Sequence, residues 1–194
     1  MHPSLFFHPG ALLSQPELSS ARIDGLLIEV GEGYMPPDVP EDAAARIASL
    51  GPILIPGHAA SGPTAAWVHG VGDAAPRCHH LQRHSQRRAR ISPGRNVVVH
   101  EAQLSADDIQ LVSGTAVTTR LRTMTDLVLG AHRDAETAMW MRRFGRAEPH
   151  LLVAVRERLE RRHRLPGKRA ALAAVDDLLL TCSVQAPSQD EVTR

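Results

Sequence analysis

The sequence predicts an α+β protein, and three observations support this prediction. The chain has 194 residues, of which 43% are hydrophobic and 22% charged, so it can bury a core without disulfides or metals. Short strand patterns bounded by turn signals lie mainly before residue 120, and helical periodicity continues from Ala135 onward. Because strands followed by helices favour α+β over a doubly wound sheet, we expect a mixed sheet flanked by helices, with a helical C-terminal third.

Residues 1–40 are predicted to form a short winged-helix-like segment. Residues 16–25 have the pattern of a short helix closed by glycine, and residues 26–34 that of a tight hairpin of two strands. A helix followed by a hairpin is typical of the end of a winged helix. Because only about 25 residues precede the hairpin, where a complete winged helix needs about three helices, the motif is reduced. Three prolines then indicate a linker: Pro36, Pro37 and Pro40.

Residues 41–180 are predicted to form one α+β domain, and residues 181–194 a polar tail. Apolar residues predict a helix over 41–50 and a buried strand over 53–55 between two prolines, and Ser61 is a candidate helix cap. Ser113 and Gly114 predict the turn of a second hairpin. The other predicted strands cover 78–83, 96–100, 109–112 and 116–119. The other predicted helices cover 63–69, 122–129, 137–144, 148–162 and 168–180.

Positive charge is concentrated although the net charge is only +1. No Asp or Glu lies between Asp73 and Glu101, and a second basic run spans Arg156 to Arg169. Arginine suits phosphate contacts through its planar guanidinium, although this bias could equally reflect the base composition of a genome. We therefore predict an exposed, DNA-binding loop between two strands, with a solubilising loop or one that pairs with a partner's acids as alternatives. The candidate DNA-binding residues are Arg83, Arg87, Arg88, Arg90 and Arg95 in this loop, and Arg22 near the N-terminal hairpin.

The best candidate metal ligands are clustered at one predicted strand. Cys78, His80 and His84 would share a strand face, and thiolate and imidazole are ligands that zinc prefers. However, no Cys-x-x-Cys or His-Glu-x-x-His pattern supports a zinc site. We therefore interpret the cluster, which includes His79, as part of a solvated polar strand and predict no metal and no cofactor.

The sequence also lacks the usual signatures of an enzyme. There is no Gly-x-Ser-x-Gly nucleophile motif and no phosphate-binding loop, and Gly31-x-Gly33 fits a hairpin turn. Asp107-Asp108 is interpreted as a turn or cap, and Asp176-Asp177 as the exposed side of a helix. His69 is predicted to satisfy a backbone group at a helix end rather than to act in catalysis. We therefore expect a non-enzymatic protein.

The ends of the chain and the cysteines favour a cytoplasmic location. The residues before Ser14 lack Lys and Arg ahead of a short apolar patch, and no later apolar run is as long as a membrane span. Cys78 and Cys182 lie far apart and fit no disulfide framework. We expect both cysteines to be free thiols.

Two segments resemble the AbiEi-type family of antitoxins and transcriptional regulators of actinobacteria. Residues 61–71, SGPTAAWVHGV, resemble the Ser-x-x-x-Ala-Ala-x-x-His-Gly helix of that family. Residues 117–127, VTTRLRTMTDL, resemble its Val-Thr-x-x-x-Arg-Thr-x-x-Asp-Leu segment. The basic strand pair lies between them in the expected order, so the resemblance covers roughly residues 26–180.

The resemblance implies an antitoxin-like regulator that binds DNA, such as its own promoter region, through a winged helix. Glu29 and Glu32 stand in the hairpin where the family usually has basic residues, so the arginine loop is the stronger electrostatic candidate. The alternative is a protein-interaction domain that binds a nucleotidyltransferase toxin, or the remnant of a Vsr-like nuclease fusion. Residues 188–194 loosely match the opening of such a nuclease, but no carboxylate cluster for magnesium follows them.

Overall fold

The computed structural model describes residues 6–86, 94 and 96–184. This part of the chain is α+β, as predicted, with seven α-helices, a five-stranded mixed sheet and a two-stranded hairpin. The chain divides into two compact units, residues 1–120 and 121–194. The sheet lies in the first unit, and helices dominate the second. None of the described helices combines the length and the apolar character needed to cross a membrane.

The first helix of the described chain is followed by a hairpin, as predicted. Helix α1 (Gln15–Ile23) starts with a capping box in which the Ser14 backbone N–H donates to the Glu17 carboxylate. Strands β1 (Ile28–Val30) and β2 (Gly33–Met35) then form an antiparallel pair. Their small core consists of Leu18, Leu27 and Tyr34, packed with Phe7, Leu13 and Ala21. One helix precedes the hairpin within the described residues, so the winged-helix-like interpretation stays a prediction.

The hairpin turn packs on the helices that follow it. Gly31 has a φ of +56°, and a Cβ there would lie 2.9 Å from the Trp67 ring and would overlap the Ser49 side chain. Ser49 belongs to α2 (Ala43–Ser49), and Trp67 to α3 (Gly62–Val68). Glycine is therefore required both by the backbone conformation and by the close approach.

The helix α1 and the β1–β2 hairpin belong to the same compact unit as the sheet. The boundary between the two units falls inside the segment predicted as one domain, 41–180.

The five-stranded sheet has the order β5-β4-β3-β7-β6. The central strand β3 pairs antiparallel with β4 and parallel with β7, and β4 pairs parallel with β5. Strands β6 and β7 form the predicted hairpin, whose turn has positive φ angles at Ser113 and Gly114. The strands are β3 (His58–Ala60), β4 (His79–Arg83), β5 (Val97–His100), β6 (Ile109–Val112) and β7 (Thr115–Thr118).

The strand predicted over residues 53–55 is wrong. Gly51–Ile53 forms a 3-10 helix, and the central strand lies five residues later, at His58–Ala60. Pro52 and Pro56 have no backbone N–H, so this apolar run is poorly suited to a central strand, which needs donors on both edges. The true strand, His-Ala-Ala, has low strand propensity and is selected by pairing with two neighbours.

The two helices beside the sheet begin in different ways. Asp42 caps α2, because its side chain accepts a 2.7 Å hydrogen bond from the Ala45 N–H. Ser61 occupies the N-cap position of α3, as predicted, but its Oγ makes no capping hydrogen bond. The Ser61 Oγ is buried without a hydrogen-bond partner among the described residues. All seven residues of α3 are buried, so this helix is part of the core of the first unit.

The second unit is helical, with α4 beginning at its boundary. The helices are α4 (Arg120–Gly130), α5 (Ala135–Ala147), α6 (Leu151–Glu160) and α7 (Lys168–Val184). Trp140, Phe144, Leu152 and Leu159 are almost completely buried. A Cβ on Gly145 would lie 3.0 Å from the Leu178 side chain, so this glycine allows α5 and α7 to pack closely. Helix α7 extends past the predicted helix end at residue 180.

Candidate nucleic-acid interface

The six predicted DNA-binding arginines fall into two groups. Four of them, Arg87, Arg88, Arg90 and Arg95, lie outside the described residues, and their role stays a prediction. The other two, Arg22 and Arg83, have well-defined partners.

Arg83 is buried, so the prediction that it lies in an exposed loop is wrong. Its side chain is 10% exposed, and its Nη1 donates a 2.7 Å hydrogen bond to the Ser85 carbonyl. Its Nε donates to the Glu101 carbonyl at 3.2 Å and lies 3.8 Å from the Glu101 carboxylate. The Arg83 carbonyl accepts from the Leu104 N–H, so the chain after β5 returns to the end of β4. Arg83 therefore stabilises the start of the arginine-rich connection instead of offering a free charge to phosphate.

Arg22 lies at the surface beside an acid. Its side chain is 50% exposed, and its Nε lies 3.9 Å from the carboxylate of Glu29, which is 58% exposed. An exposed pair of this kind contributes roughly 0–1 kcal/mol to stability. Because Glu29 offsets the positive charge of Arg22, this pair offers little attraction for phosphate.

Both ends of the arginine-rich connection are fixed to the sheet. At the start, the N–H groups of His84 and Ser85 both donate to the Gly57 carbonyl, at 2.9 and 3.0 Å. At the end, the Asn96 carbonyl accepts from the His79 N–H at 2.7 Å. Because β4 and β5 are parallel neighbours, the connection must return from the carboxyl end of β4 to the amino end of β5. The predicted loop arginines therefore belong to a segment with two anchored ends.

Glu32 links the N-terminal hairpin to the sheet. Its carboxylate accepts a 2.8 Å hydrogen bond from the Asn96 side chain and lies 3.2 Å from the Nε2 of His79, which is 2% exposed. The sequence suggested that Glu32 would repel phosphate as a free surface charge, but the structure gives it internal partners. Sequence reasoning missed this contact because its three residues come from distant positions and form no local pattern.

The histidines of the candidate metal cluster point to different partners. His79 is buried beside Glu32, and the Nδ1 of His80 lies 3.1 Å from the Nε2 of His100 on β5. The pKa of His84 is lowered from 6.5, first by burial and then by the nearby charge of His58. Over residues 6–86, 94 and 96–184, no group of three or more His, Cys, Asp or Glu side chains is arranged to hold a metal ion.

The two segments that carry the family resemblance are in direct contact. Ala60 on β3 pairs with Val117 on β7, next to the starts of the two segments. The Nε2 of His69, a residue that is 8% exposed, donates a 2.8 Å hydrogen bond to the Thr118 carbonyl. Arg120 in turn donates to the His69 carbonyl at 3.2 Å. His69 thus satisfies a backbone group, as predicted, but that group lies 49 residues away instead of at its own helix end.

The interpretation of residues 78–84 as a solvated polar strand is wrong, because four of the five residues of β4 are buried. Three other predictions agree with the structure. Cys78 and Cys182 are free thiols. Asp107 and Asp108 lie in a short 3-10 helix after Ser105, and Asp176-Asp177 is exposed on α7.

No protein-family model matches this sequence, and no curated protein is significantly similar to it. The assignment of a function therefore depends on the residues of the chain and on the contacts that they make.

Proposed function

We propose that this protein is an antitoxin-like, DNA-binding transcriptional regulator that acts without catalysis or a cofactor. The observation that carries the proposal is the contact between segments 61–71 and 117–127. Two segments with separate family-like patterns, about fifty residues apart, are joined by the hydrogen bond from His69 to Thr118, and Ala60, the residue just before the first segment, pairs with Val117 in the second. That contact supports treating the two patterns as one structural element of an AbiEi-type domain.

The DNA contact is assigned to the segment 87–95. This segment contains Arg87, Arg88, Arg90 and Arg95, and no acid lies in the sequence between Asp73 and Glu101. Guanidinium groups bind phosphate oxygens in a bidentate manner, and the release of counterions makes such binding favourable at low salt.

The proposal is tested by titrating the protein with the upstream region of its own gene and with a scrambled duplex, each at several salt concentrations. We expect tighter binding to the upstream region. Replacing Arg87, Arg88 and Arg90 with Ala should lower the log-log salt slope by about 2.7, or about 0.9 for each phosphate that is no longer neutralised. The melting temperature should stay close to that of the parent. Equal affinity for the two duplexes would contradict the regulator, and an unchanged slope would exclude this segment as the DNA-binding surface.

A second candidate function, binding of a nucleotidyltransferase toxin, is favoured by exposed apolar residues in the N-terminal segment. Leu12, Ile23 and Leu26 are 85%, 77% and 66% exposed. Burial of exposed apolar side chains of this size by a partner protein is energetically favourable. A toxin gene directly downstream, and a complex of the two purified proteins that is abolished when these three residues are replaced with Ser, would support this candidate.

A further inference from the structure

The connection between α6 and α7, residues 161–169, concentrates positive charge in the helical unit; we call it the basic turn. It contains Arg161, Arg162, Arg164, Lys168 and Arg169, together with His163, and no Asp or Glu occurs between Glu160 and Asp176. The four arginines are all exposed. The sequence marks this run as basic, and the proposed contact at segment 87–95 does not use it.

The acids nearest to the basic turn are largely engaged elsewhere. Glu160 and Asp176 both pair with Arg156, at 2.6 and 2.9 Å. Glu157 lies 3.8 Å from Arg161. Within the described part of the chain, no carboxylate forms an ion pair with the other three arginines of the turn. Their positive charge is therefore directed to solvent.

The turn has a defined conformation. The Nζ of Lys168 donates 2.8 Å hydrogen bonds to the carbonyls of Glu160 and Arg162. The first residue of α7 therefore provides hydrogen-bond donors for carbonyl groups at the end of α6 and just after it. Gly167 has a φ of +76°, and a Cβ there would lie 2.8 Å from the His132 ring. The Nε of Arg133 donates to that ring at 3.2 Å, which places one more cation beside the turn. These contacts fix the conformation of the turn that carries the arginines.

The positions of these cations do not stabilise α7. Helices α1 and α5 begin with acids in their first turns, Glu17 and Glu136, where the positive end of the helix dipole favours them. Helix α7 begins with Lys168 and Arg169 and has no acid in its first turn. Lys168 has a structural role in closing α6, whereas Arg169 repels the dipole and has no carboxylate partner among the described residues. A bound anion would offset this repulsion.

We propose that the basic turn binds the phosphate backbone of duplex DNA through Arg162, Arg164 and Arg169. Phosphate contacts position a duplex without reading its sequence, so this surface contributes affinity but no base preference. The proposal rests on the proposed function only in its choice of DNA as the partner. It adds a second DNA-binding surface, in the other compact unit, to the one at segment 87–95.

The test measures binding of the full chain to a random-sequence duplex DNA at several salt concentrations. The variant carrying Arg162→Gln, Arg164→Gln and Arg169→Gln should lower the log-log salt slope by about 2.7 if each side chain contacts one phosphate. The variant carrying Arg162→Lys, Arg164→Lys and Arg169→Lys keeps the charge and should retain most of the slope.

The matched control removes three exposed arginines from α5 in the same unit. It should change the slope by less than about 0.9, the value for one phosphate. The control substitutions are Arg142→Gln, Arg143→Gln and Arg146→Gln.

Three results would overturn the inference. The Gln variant of the turn could keep the salt slope of the parent protein, or the α5 control could lose as much slope as the Gln variant does. The Lys variant could also lose as much slope as the Gln variant and melt at a lower temperature than the parent. The use of random DNA separates this inference from the proposed function. Turn-dependent binding without preference for the upstream region would support the basic turn and contradict the regulator. Preference for upstream DNA, together with an unchanged salt slope in the Gln variant of the turn, would support the regulator and contradict the basic turn.

Discussion

At the scale of single residues, the histidines show how much their surroundings decide their chemistry. His79, His80 and His84 occur within six residues, yet their surroundings differ: His79 lies beside Glu32, His80 lies beside His100, and His84 is partly buried near the charge of His58. A sequence pattern that suggested one shared site instead places the three side chains in three environments. The same surroundings change the proton affinity of one of them.

His84 should make the protein less stable in mild acid. Its pKa is lowered from 6.5 by burial and by His58, so below pH 6.5 the unfolded chain takes up a proton that the folded chain resists. The free energy of unfolding should therefore fall as the pH drops from 6.5 toward the lowered pKa, with no contribution from His84 at higher pH. Urea unfolding at about pH 7.5 and about pH 5.5 measures this decrease.

The variant His84→Gln provides the comparison, because glutamine does not titrate. Its midpoint in urea should shift less between the two pH values than the midpoint of the parent. Identical shifts in both proteins would show that His84 does not contribute.

At the scale of elements, helices and strands with local sequence signals were predicted correctly, whereas those that depend on partners distant in sequence were missed. The α1 helix, the β1–β2 hairpin and the β6–β7 hairpin follow from local signals, such as the glycine after α1 and the Ser113-Gly114 turn. The central strand His58–Ala60 has no such signal, because its hydrogen bonds come from β4 and β7. Burial of Arg83 was missed for the same reason, since Glu101 and Leu104 return to it from beyond β5.

The hydrogen bond from His69, at the end of α3, to the Thr118 carbonyl of β7 should contribute more to the free energy of unfolding than a typical surface contact does. His69→Ala removes a buried imidazole and its hydrogen bond to the Thr118 carbonyl, so we expect the free energy of unfolding to fall by about 1–3 kcal/mol. His69→Gln keeps a donor nitrogen at a similar reach and should be less destabilised. Chemical denaturation of the three proteins compares the values. If alanine cost no more than glutamine, the hydrogen bond would not be the source of stability.

At the scale of the whole molecule, the near-neutral charge conceals an uneven distribution. Residues 1–120 contain nine Arg and eleven Asp and Glu, whereas residues 121–194 contain thirteen Lys and Arg and ten Asp and Glu. The order of strand and helix patterns predicts the fold class, and the spacing of the cysteines predicts free thiols. Neither predicts this division, because the boundary at Arg120 is set by tertiary contacts. The candidate site was only partly predictable: basic character is visible in the sequence, whereas internal partners of Arg83 and Glu32 are not.

The cysteines give a prediction for the intact chain. Cys78 and Cys182 are free thiols, and each is only partly buried. Alkylation after unfolding without reductant should therefore add two adducts to the mass of the protein, and reductant should leave the melting temperature unchanged. A single species about two mass units lighter than the reduced chain, with no alkylation, would contradict this expectation.

The mixed pairing of β3 also determines when the sheet can be completed as the chain is synthesised. Ala60 has β4 as a partner soon after translation, but its other neighbour, Val117, is made 57 residues later. Until then one edge of the central strand has unpaired backbone groups, which favour pairing with other chains. The nascent first unit is therefore most vulnerable to aggregation in the interval before the β6–β7 hairpin emerges from the ribosome, and slower translation of residues 61–108 would lengthen that interval.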